Sequence, residues 1–220
     1  MGAAALETDL GMGWATVHGL YGIGEAGRRG PAGARARAPG YSRVMHEPLP
    51  YKIAVLCDLR DAQGRVLLIH RTRSPNKGLY SPIGGKLETA VGESPAQCAQ
   101  REIHEEAGIE VPLERLRLRL VVSEQAYEGQ THWLMFVYRV LGAVEAPERE
   151  IPEGRLEWRR LEELKDLPMP ETDALHIWPA IRSHEDGFAT LHIDCRVRPI
   201  LGALQQSERL APAEIPRYRI

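Results

Sequence analysis

Glu93-Ser94-Pro95-Ala96-Gln97-Cys98-Ala99-Gln100-Arg101-Glu102-Ile103-His104-Glu105-Glu106-Ala107-Gly108-Ile109 is the stretch whose reading decides the fold. Ser94 can cap a helix, Pro95 suits its first turn and Gly108 ends it. Ala96, Ala99, Ile103 and Ala107 follow helical spacing and supply a small-residue stripe for packing. Glu102, Glu105 and Glu106 lie at i, i+3 and i+4, which predicts three carboxylates on one face. Like charges so placed cost a few tenths of a kcal/mol per pair, which a solvated face tolerates. The bland reading is therefore an ordinary acidic helix. The chemical reading is a helix whose charge is neutralised by a hard divalent cation. Oxygen-only donors favour Mg²⁺ or Mn²⁺ over zinc, and Mg²⁺ commonly takes its other ligands from water and substrate phosphates.

Upstream stands Pro82-Ile83-Gly84-Gly85-Lys86. Paired glycines let backbone approach a ligand closely, and Lys86 can neutralise phosphate charge. Glycine loop, lysine and acidic helix together suggest a metal–diphosphate site. Working outward, Tyr51 to Leu59 and Val66 to His70 are rich in β-formers and flank the turn Asp61 to Gly64, so they read as a hairpin. Arg71 to Leu79 is a polar Pro/Gly-containing loop. Leu116 to Ser123 and Thr131 to Val140 read as strands around a loop from Glu124 to Gln130, and Leu156 to Arg160 as a short strand. Leu161 to Leu167 and Asp173 to Arg182 look helical, Phe188 to Cys195 is a last strand, and residues 201–220 read as a tail with a short helix at most. Mixed strands with a few helices predict an α/β or α+β sandwich.

The first 44 residues hold ten of the 21 glycines. Gly27 to Gly40 is built from Gly, Ala, Pro and Arg, too little apolar surface to offset its ordering entropy. The expectation is an unstructured extension over residues 1–45 and a single domain over 46–200. Met45 stands where patterned sequence begins and is expected to be the native start, which N-terminal mass spectrometry would check. Gly22-Ile23-Gly24-Glu25-Ala26-Gly27 matches a dinucleotide-binding pattern, but Arg-Arg-Gly-Pro follows it and cannot continue as a helix, so the match is rejected.

Composition narrows the classes. A formal net charge of −2 and a pI near 6.5 give no polycationic field for a nucleic-acid polymer. A single nucleotide needs only a local site. The three cysteines, Cys57, Cys98 and Cys195, are widely spaced without a C-x-x-C pair, which predicts reduced thiols in a cytoplasmic protein. Apolar runs are far too short for a membrane span, and the N-terminus lacks a secretory pattern. A monomer or a homodimer is expected, with a small-molecule nucleotide as partner.

From Glu93 onward the chain resembles the Nudix hydrolase family, whose signature is G-x5-E-x7-R-E-U-x-E-E-x-G-U with U aliphatic. Glu93, Arg101, Glu102, Ile103, Glu105, Glu106, Gly108 and Ile109 match every defined position. The departure lies in front: seven residues rather than five separate Gly85 from Glu93. The approach also differs from W-x-L-P-G-G, reading Tyr80 to Gly85. The resemblance covers roughly residues 50–195. It implies an α/β/α sandwich around a mixed sheet, a Mg²⁺-dependent (or Mn²⁺-dependent) enzyme, and roles by position. Glu102 and Glu106 are implied metal ligands, Glu105 a ligand or the base that activates water, and the Gly84 carbonyl a backbone ligand. Gly85 and Lys86 are implied in phosphate binding, and Glu93 with Arg101 as the ion pair bracing the loop. A further Glu from a later loop is expected from Glu145, Glu148, Glu150 or Glu153.

The substrate implied is a nucleoside diphosphate linked to another group. Leu156 to Leu164, Met169 to Asp173 and Trp178-Pro179 are similar to enzymes that cleanse oxidised purine nucleoside triphosphates. There, acidic residues before the Trp/Phe-Pro helix bind the purine edge. Asp173 fits that place best, then Glu171, with Trp133 and Trp178 as stacking candidates. An N-cap role for Asp173 is the plain alternative. Tyr127 stands near the spacing of the tyrosine in dinucleoside polyphosphate hydrolases, a second substrate class alongside nucleotide sugars. The remaining class is a non-catalytic nucleotide-binding regulatory module. Such modules usually lose helix carboxylates, and all three are present here.

Overall fold

A computed structural model describes residues 48–209 of the chain. The expectations for residues 1–45 and for the end of the tail lie outside the described residues. Among the described residues nine strands form two sheets: β1 (Tyr51–Asp58), β2 (Val66–Arg71), β3 (Tyr80–Pro82), β4 (Leu116–Tyr127), β5 (Thr131–Val140), β6 (Glu150–Ile151), β7 (Gly154–Arg159), β8 (Gly187–Asp194) and β9 (Leu201–Arg209). One sheet is five-stranded in the order β1-β5-β4-β8-β9, with β1·β5 and β4·β8 parallel, so it is mixed. The other is four-stranded and antiparallel, in the order β3-β2-β7-β6. Helix α1 spans Pro95–Glu102 and α2 spans Trp178–Ser183. The architecture is the α+β sandwich expected, with its strands divided between two sheets.

Alternation along the strands sends side chains into two cores. Ala54 of β1, Leu120 and Val122 of β4, and Leu68 of β2 join Ile177, Trp178 and Ile181 around α2. Val55 and Cys57 of β1, and Leu67 and Ile69 of β2, join Cys98, Ala99 and Ile103 around α1. The Val66 to Ile69 run is apolar without alternation because both of its faces are buried.

The expected hairpin is a correction. Both strands exist, but β1 pairs in parallel with β5, register Tyr51↔His132 to Asp58↔Arg139, while β2 lies in the other sheet. The chain changes sheets at Leu59–Arg60, where the Leu67 amide donates to the Leu59 carbonyl (3.0 Å) and Arg60 bridges to Val66. A turn can direct two strands toward each other, but the buried two-sided pattern of β1 is satisfied better inside the mixed sheet. Two further expectations change. Leu201–Arg209 is an edge strand paired with β8, from Leu201↔Asp194 to Arg209↔Gly187, not a tail or helix. Strand β4 runs to Tyr127, four residues past its expected end at Ser123, because β8 and β5 supply partners along that extension. Tyr80–Pro82, expected as part of the approach to the glycine loop, forms a short strand on β2.

All three cysteines are buried and free. Among the described residues, no helix is long and apolar enough to cross a membrane.

Candidate metal and diphosphate site

The capping expected at Ser94 is present in full. Its hydroxyl accepts from the Gln97 amide (3.3 Å), while the Gln97 side chain accepts from the Ser94 amide (3.0 Å), with Pro95 in the first turn. The helix is regular through Glu102. Ile103–Ala107 then widen into a π turn, closed by Gly108 at φ 73°. The π turn still leaves all three carboxylates around Glu102: Glu105 shares the Arg101 Nη1 with it (3.2 and 2.8 Å), and Glu106 repels it from the other side. The Glu106 side chain turns inward (6% exposed), whereas Glu105 points out (54% exposed).

The glycine loop is stitched to β1. The amides of Cys57 and Val55 donate to the carbonyls of Ile83 (2.7 Å) and Gly85 (2.8 Å). Among the described residues the intervening Gly84 carbonyl accepts no backbone hydrogen bond. The Gly84 N–H donates to Glu106 Oε2 at 2.9 Å. Both glycines are required by space. A Cβ on Gly84, at φ +149°, would stand 2.1 Å from the Val55 carbonyl oxygen, and one on Gly85 would stand 2.1 Å from Glu102 Oε1. Loop and helix therefore press Gly84, Gly85, Glu102 and Glu106 together.

Arg101 organises the other side of the helix. Its guanidinium donates to both Glu93 oxygens (2.8 and 3.0 Å), to Glu102 Oε1 (2.8 Å), to Glu105 Oε2 (3.2 Å) and to the Lys86 carbonyl (3.1 Å). Glu93 also accepts from the Glu88 amide at 2.8 Å. The Arg101 hydrogen bonds hold the Glu93 carboxyl down at about 2, and the same pair raises the guanidinium pKa. Glu93 and Arg101 thus form an ion pair that joins the residue before the Ser94 cap to the last turn of α1, and Arg101 ties that turn to the Lys86 carbonyl.

The inward carboxyls are in the opposite state. Burial pushes Glu106 up to about 8, against the lowering effect of the Gly84 N–H, with the neighbouring Glu102 adding repulsion. Burial likewise raises Glu102, despite its contact with Arg101. Among the described residues, no three carboxylate, imidazole or thiol groups converge tightly enough to form a ready-made cage for a cation. The donors nonetheless suit a hard cation. Two desolvated carboxyls repel each other beside an unclaimed backbone carbonyl, and a divalent ion would relieve that repulsion.

Part of this cluster opens into a cleft of about 520 Å³, which Glu106 itself does not line. Gly84, Gly85, Lys86 and Glu102 line one end, together with Arg71, which the sequence reading missed. Arg71 acts electrostatically on Glu106, and its Nε donates to the Pro75 carbonyl at 2.8 Å. Tyr127, Trp133 and Met135 form a less polar wall, with the Lys52 ammonium 5.3 Å from the Trp133 ring centre. Asp173, Thr172 and Glu124 line the far end. Ser81 also borders the cleft, with a buried hydroxyl that has no hydrogen-bond partner among the described residues.

Other expected residues fall elsewhere. Trp178 is 2% exposed and does not border the cleft, because it packs with Ile177 into the core that includes Leu120, Val122 and Ile193 of the mixed sheet. Glu171 is exposed and also outside the cleft. Of the later-loop acids, Glu153 is the one whose charge acts on Glu106. Glu148 instead accepts from the Trp158 amide at 2.9 Å, and Glu145 and Glu150 are exposed. Glu124 was missed because it was assigned to a loop. The period-two run Leu120, Val122, Glu124, Ala126, all buried, is the signal that would have placed it inward on β4.

Comparison with known proteins adds the following. The NUDIX domain model matches residues 50–180. The NAD-capped RNA hydrolase NudC of Pseudomonas aeruginosa is 29% identical over 180 residues, covering 73% of this chain and 57% of that protein. Diphosphoinositol polyphosphate phosphohydrolase 3-alpha of Mus musculus is 33% identical over 128 residues, covering 57% of this chain and 73% of that protein. Among solved structures, the mutator MutT protein from Bacillus halodurans is 26% identical with a TM-score of 0.55, covering 71% of this chain and 96% of that one. The chain thus spans little more than half the length of the Pseudomonas relative.

Proposed function

This chain belongs to the Nudix family, and on that premise we propose that it is a Mg²⁺-dependent hydrolase that cleaves a diphosphate bond within a nucleoside diphosphate linked to another group. The leading substrate is a purine nucleoside triphosphate, oxidised or not, split to the monophosphate and pyrophosphate. The observation that carries the reading is the packing of Gly84 against Glu106 and of Gly85 against Glu102, with both glycines and Glu102 lining the cleft. It joins a glycine turn to two desolvated carboxyls, the buried Glu106 and the half-buried Glu102.

In this reading Glu102, Glu106 and the Gly84 carbonyl hold the metal, with Mn²⁺ able to replace Mg²⁺. Glu105, the exposed member, is either a further ligand or the base that takes a proton from the attacking water. The bound ion supplies charge neutralisation on the diphosphate and lowers the pKa of a coordinated water. The chain's own residues do the rest. Arg71, Lys86 and the Gly85 backbone draw the phosphates to the loop end, and Arg101 with Glu93 keeps loop and helix in register. Asp173 is the base-recognition residue, a role that its place at the far end of the cleft supports. Glu171 and Trp178 have no such support.

Purified protein incubated with Mg²⁺ and a panel of nucleoside triphosphates, dinucleoside polyphosphates and nucleotide sugars tests the reading. Metal-dependent release of pyrophosphate and nucleoside monophosphate, abolished by chelator, is the expected result. Tight binding of one nucleotide with no turnover anywhere in the panel would make the chain a regulatory module instead.

A further inference from the structure

Arg71 and Lys86, the cations lining the cleft, stand with Glu102 by the glycine loop beside β1, and two further acids line it from separate elements, Glu124 being two strands away on β4. Glu124 comes from β4 and is 3% exposed; Asp173 comes from the turn leading into α2 and is 8% exposed. No cation acts appreciably on either acid, and Thr172 is the polar neighbour of both. Lys52 stands on the same face two strands away, its ammonium over the intervening Trp133 ring, and Glu128 also lines the cleft. The Tyr127 phenol, also lining the cleft, feels both charges, and the Cys195 thiol feels that of Glu124.

A buried carboxyl needs hydrogen-bond donors or a positive charge. Here the fold supplies one hydroxyl between two acids. A phosphate, or a ring bearing several phosphates, offers only oxygen acceptors and negative charge and would be repelled from this pair. An uncharged group with N–H donors satisfies both acids at once. Burial pushes each carboxyl up to about 7, and the charge on Glu124 adds to the rise at Asp173. Near neutrality the pair therefore retains a proton and can also donate one hydrogen bond.

We propose that Glu124, acting with Asp173, selects the part of the substrate distal to the phosphates as a nucleobase edge bearing an exocyclic amino group. The inference rests on the hydrolase reading for which end of the substrate enters, and it adds a residue and a chemical demand to it. Charge polarity orients the ligand: phosphates go to Arg71 and Lys86, the N–H-rich edge to Glu124 and Asp173. A site built to accept from a substrate N–H rejects the analogue that lacks it more strongly than a merely apolar pocket could, because its own polar groups are left unpaired.

The test compares nucleotides that differ only in that amino group. GTP is set against ITP, and ATP against purine riboside triphosphate, with Mg²⁺, for the wild type and Glu124→Gln. In at least one pair the wild type should prefer the amino-bearing nucleotide by about tenfold or more in kcat/KM, the size of one hydrogen bond to a charged group. Glu124→Gln should collapse that ratio chiefly by slowing the amino-bearing member, while its melting temperature stays near wild type. Glu124→Asp, which keeps the charge at shorter reach, should retain part of the ratio, and it serves if the glutamine variant does not fold. Equal losses for both members of a pair, or an unchanged ratio, would overturn the proposal and make Glu124 a structural residue. The corresponding diphosphates, titrated by calorimetry in chelator, separate the two readings. An affinity ratio that depends on Glu124 without any turnover would remove the hydrolase and leave this inference standing. Turnover without such a ratio would do the reverse.

Discussion

Glu93→Gln isolates the brace between loop and helix. The substitution keeps the shape of the side chain and one acceptor oxygen but removes the charge that meets Arg101 at 2.8 and 3.0 Å. In the folded protein the Glu93 carboxyl falls from its ordinary 4.5 to about 2. At about 1.4 kcal/mol for each tenfold change in proton affinity, that caps the contribution at roughly 3.4 kcal/mol. The Arg101 side chain is 25% exposed. Solvent screening brings the expected loss to about 1–2 kcal/mol, or about 2–8 °C in melting temperature for a domain of this size. The sign with pH follows from the depressed value. The contribution is complete above about 4.5 and is lost as pH falls toward 2, because the unfolded chain takes up the proton first. Urea denaturation of wild type and variant at a series of pH values from 7 down to 3 provides the assay. The gap in stability should be widest at pH 7 and shrink below 4.5. A gap under about 0.3 kcal/mol at pH 7, or one that stays constant to pH 3, would refute the reasoning.

Other perturbations probe the remaining parts. Gly84→Ala places a Cβ against the Val55 carbonyl at positive φ and should cost about 2–4 kcal/mol in thermal or urea unfolding. Glu106→Gln can still accept the Gly84 N–H but loses its charge. It should lower Mg²⁺-dependent kcat/KM by a hundredfold or more with an unchanged near-UV circular dichroism spectrum, and an undiminished rate would remove Glu106 from the metal site. Trp178→Phe removes a buried indole N–H that has no partner among the described residues, so lost packing and relieved desolvation should offset to within about 1 kcal/mol. Its KM for the nucleotide should match wild type, and a large rise would return Trp178 to the base pocket.

What could be read in advance was what is encoded locally. The cap at Ser94, the stop at Gly108 and the Glu93–Arg101 pair are set by residues within sixteen positions of one another, and each is present in the structure. The partner of β1 could not be read, because the choice between β2 nearby and β5 some eighty residues away is made by two-sided burial in the assembled sheet. The same holds for Glu124. Its strand extends because β5 pairs along it and β8 arrives from far along the chain, with Glu124 opposite Trp133 and Ile193. Trp178 was ambiguous for the opposite reason. A Trp at the head of a short helix packs into a core or into a pocket according to a rotation of the helix that residue type does not specify. The π turn at Ile103–Ala107 lies beyond a helical-period reading, which assumes a constant rise per residue.

The two residues by which the segment between Gly85 and Glu93 exceeds the family pattern find their place in the turn Thr89–Val91, all three exposed and followed by Gly92 at φ 73°. The Glu88 amide on Glu93 clamps the two ends of that turn, so its length is insulated from the acids behind it. It is a natural splice point. A fluorescent-label site or a short peptide tag introduced at Ala90 would sit within a few residues of the glycine cradle, positioned to report on loop movement during turnover while the strands and the acidic helix fold around it unaltered.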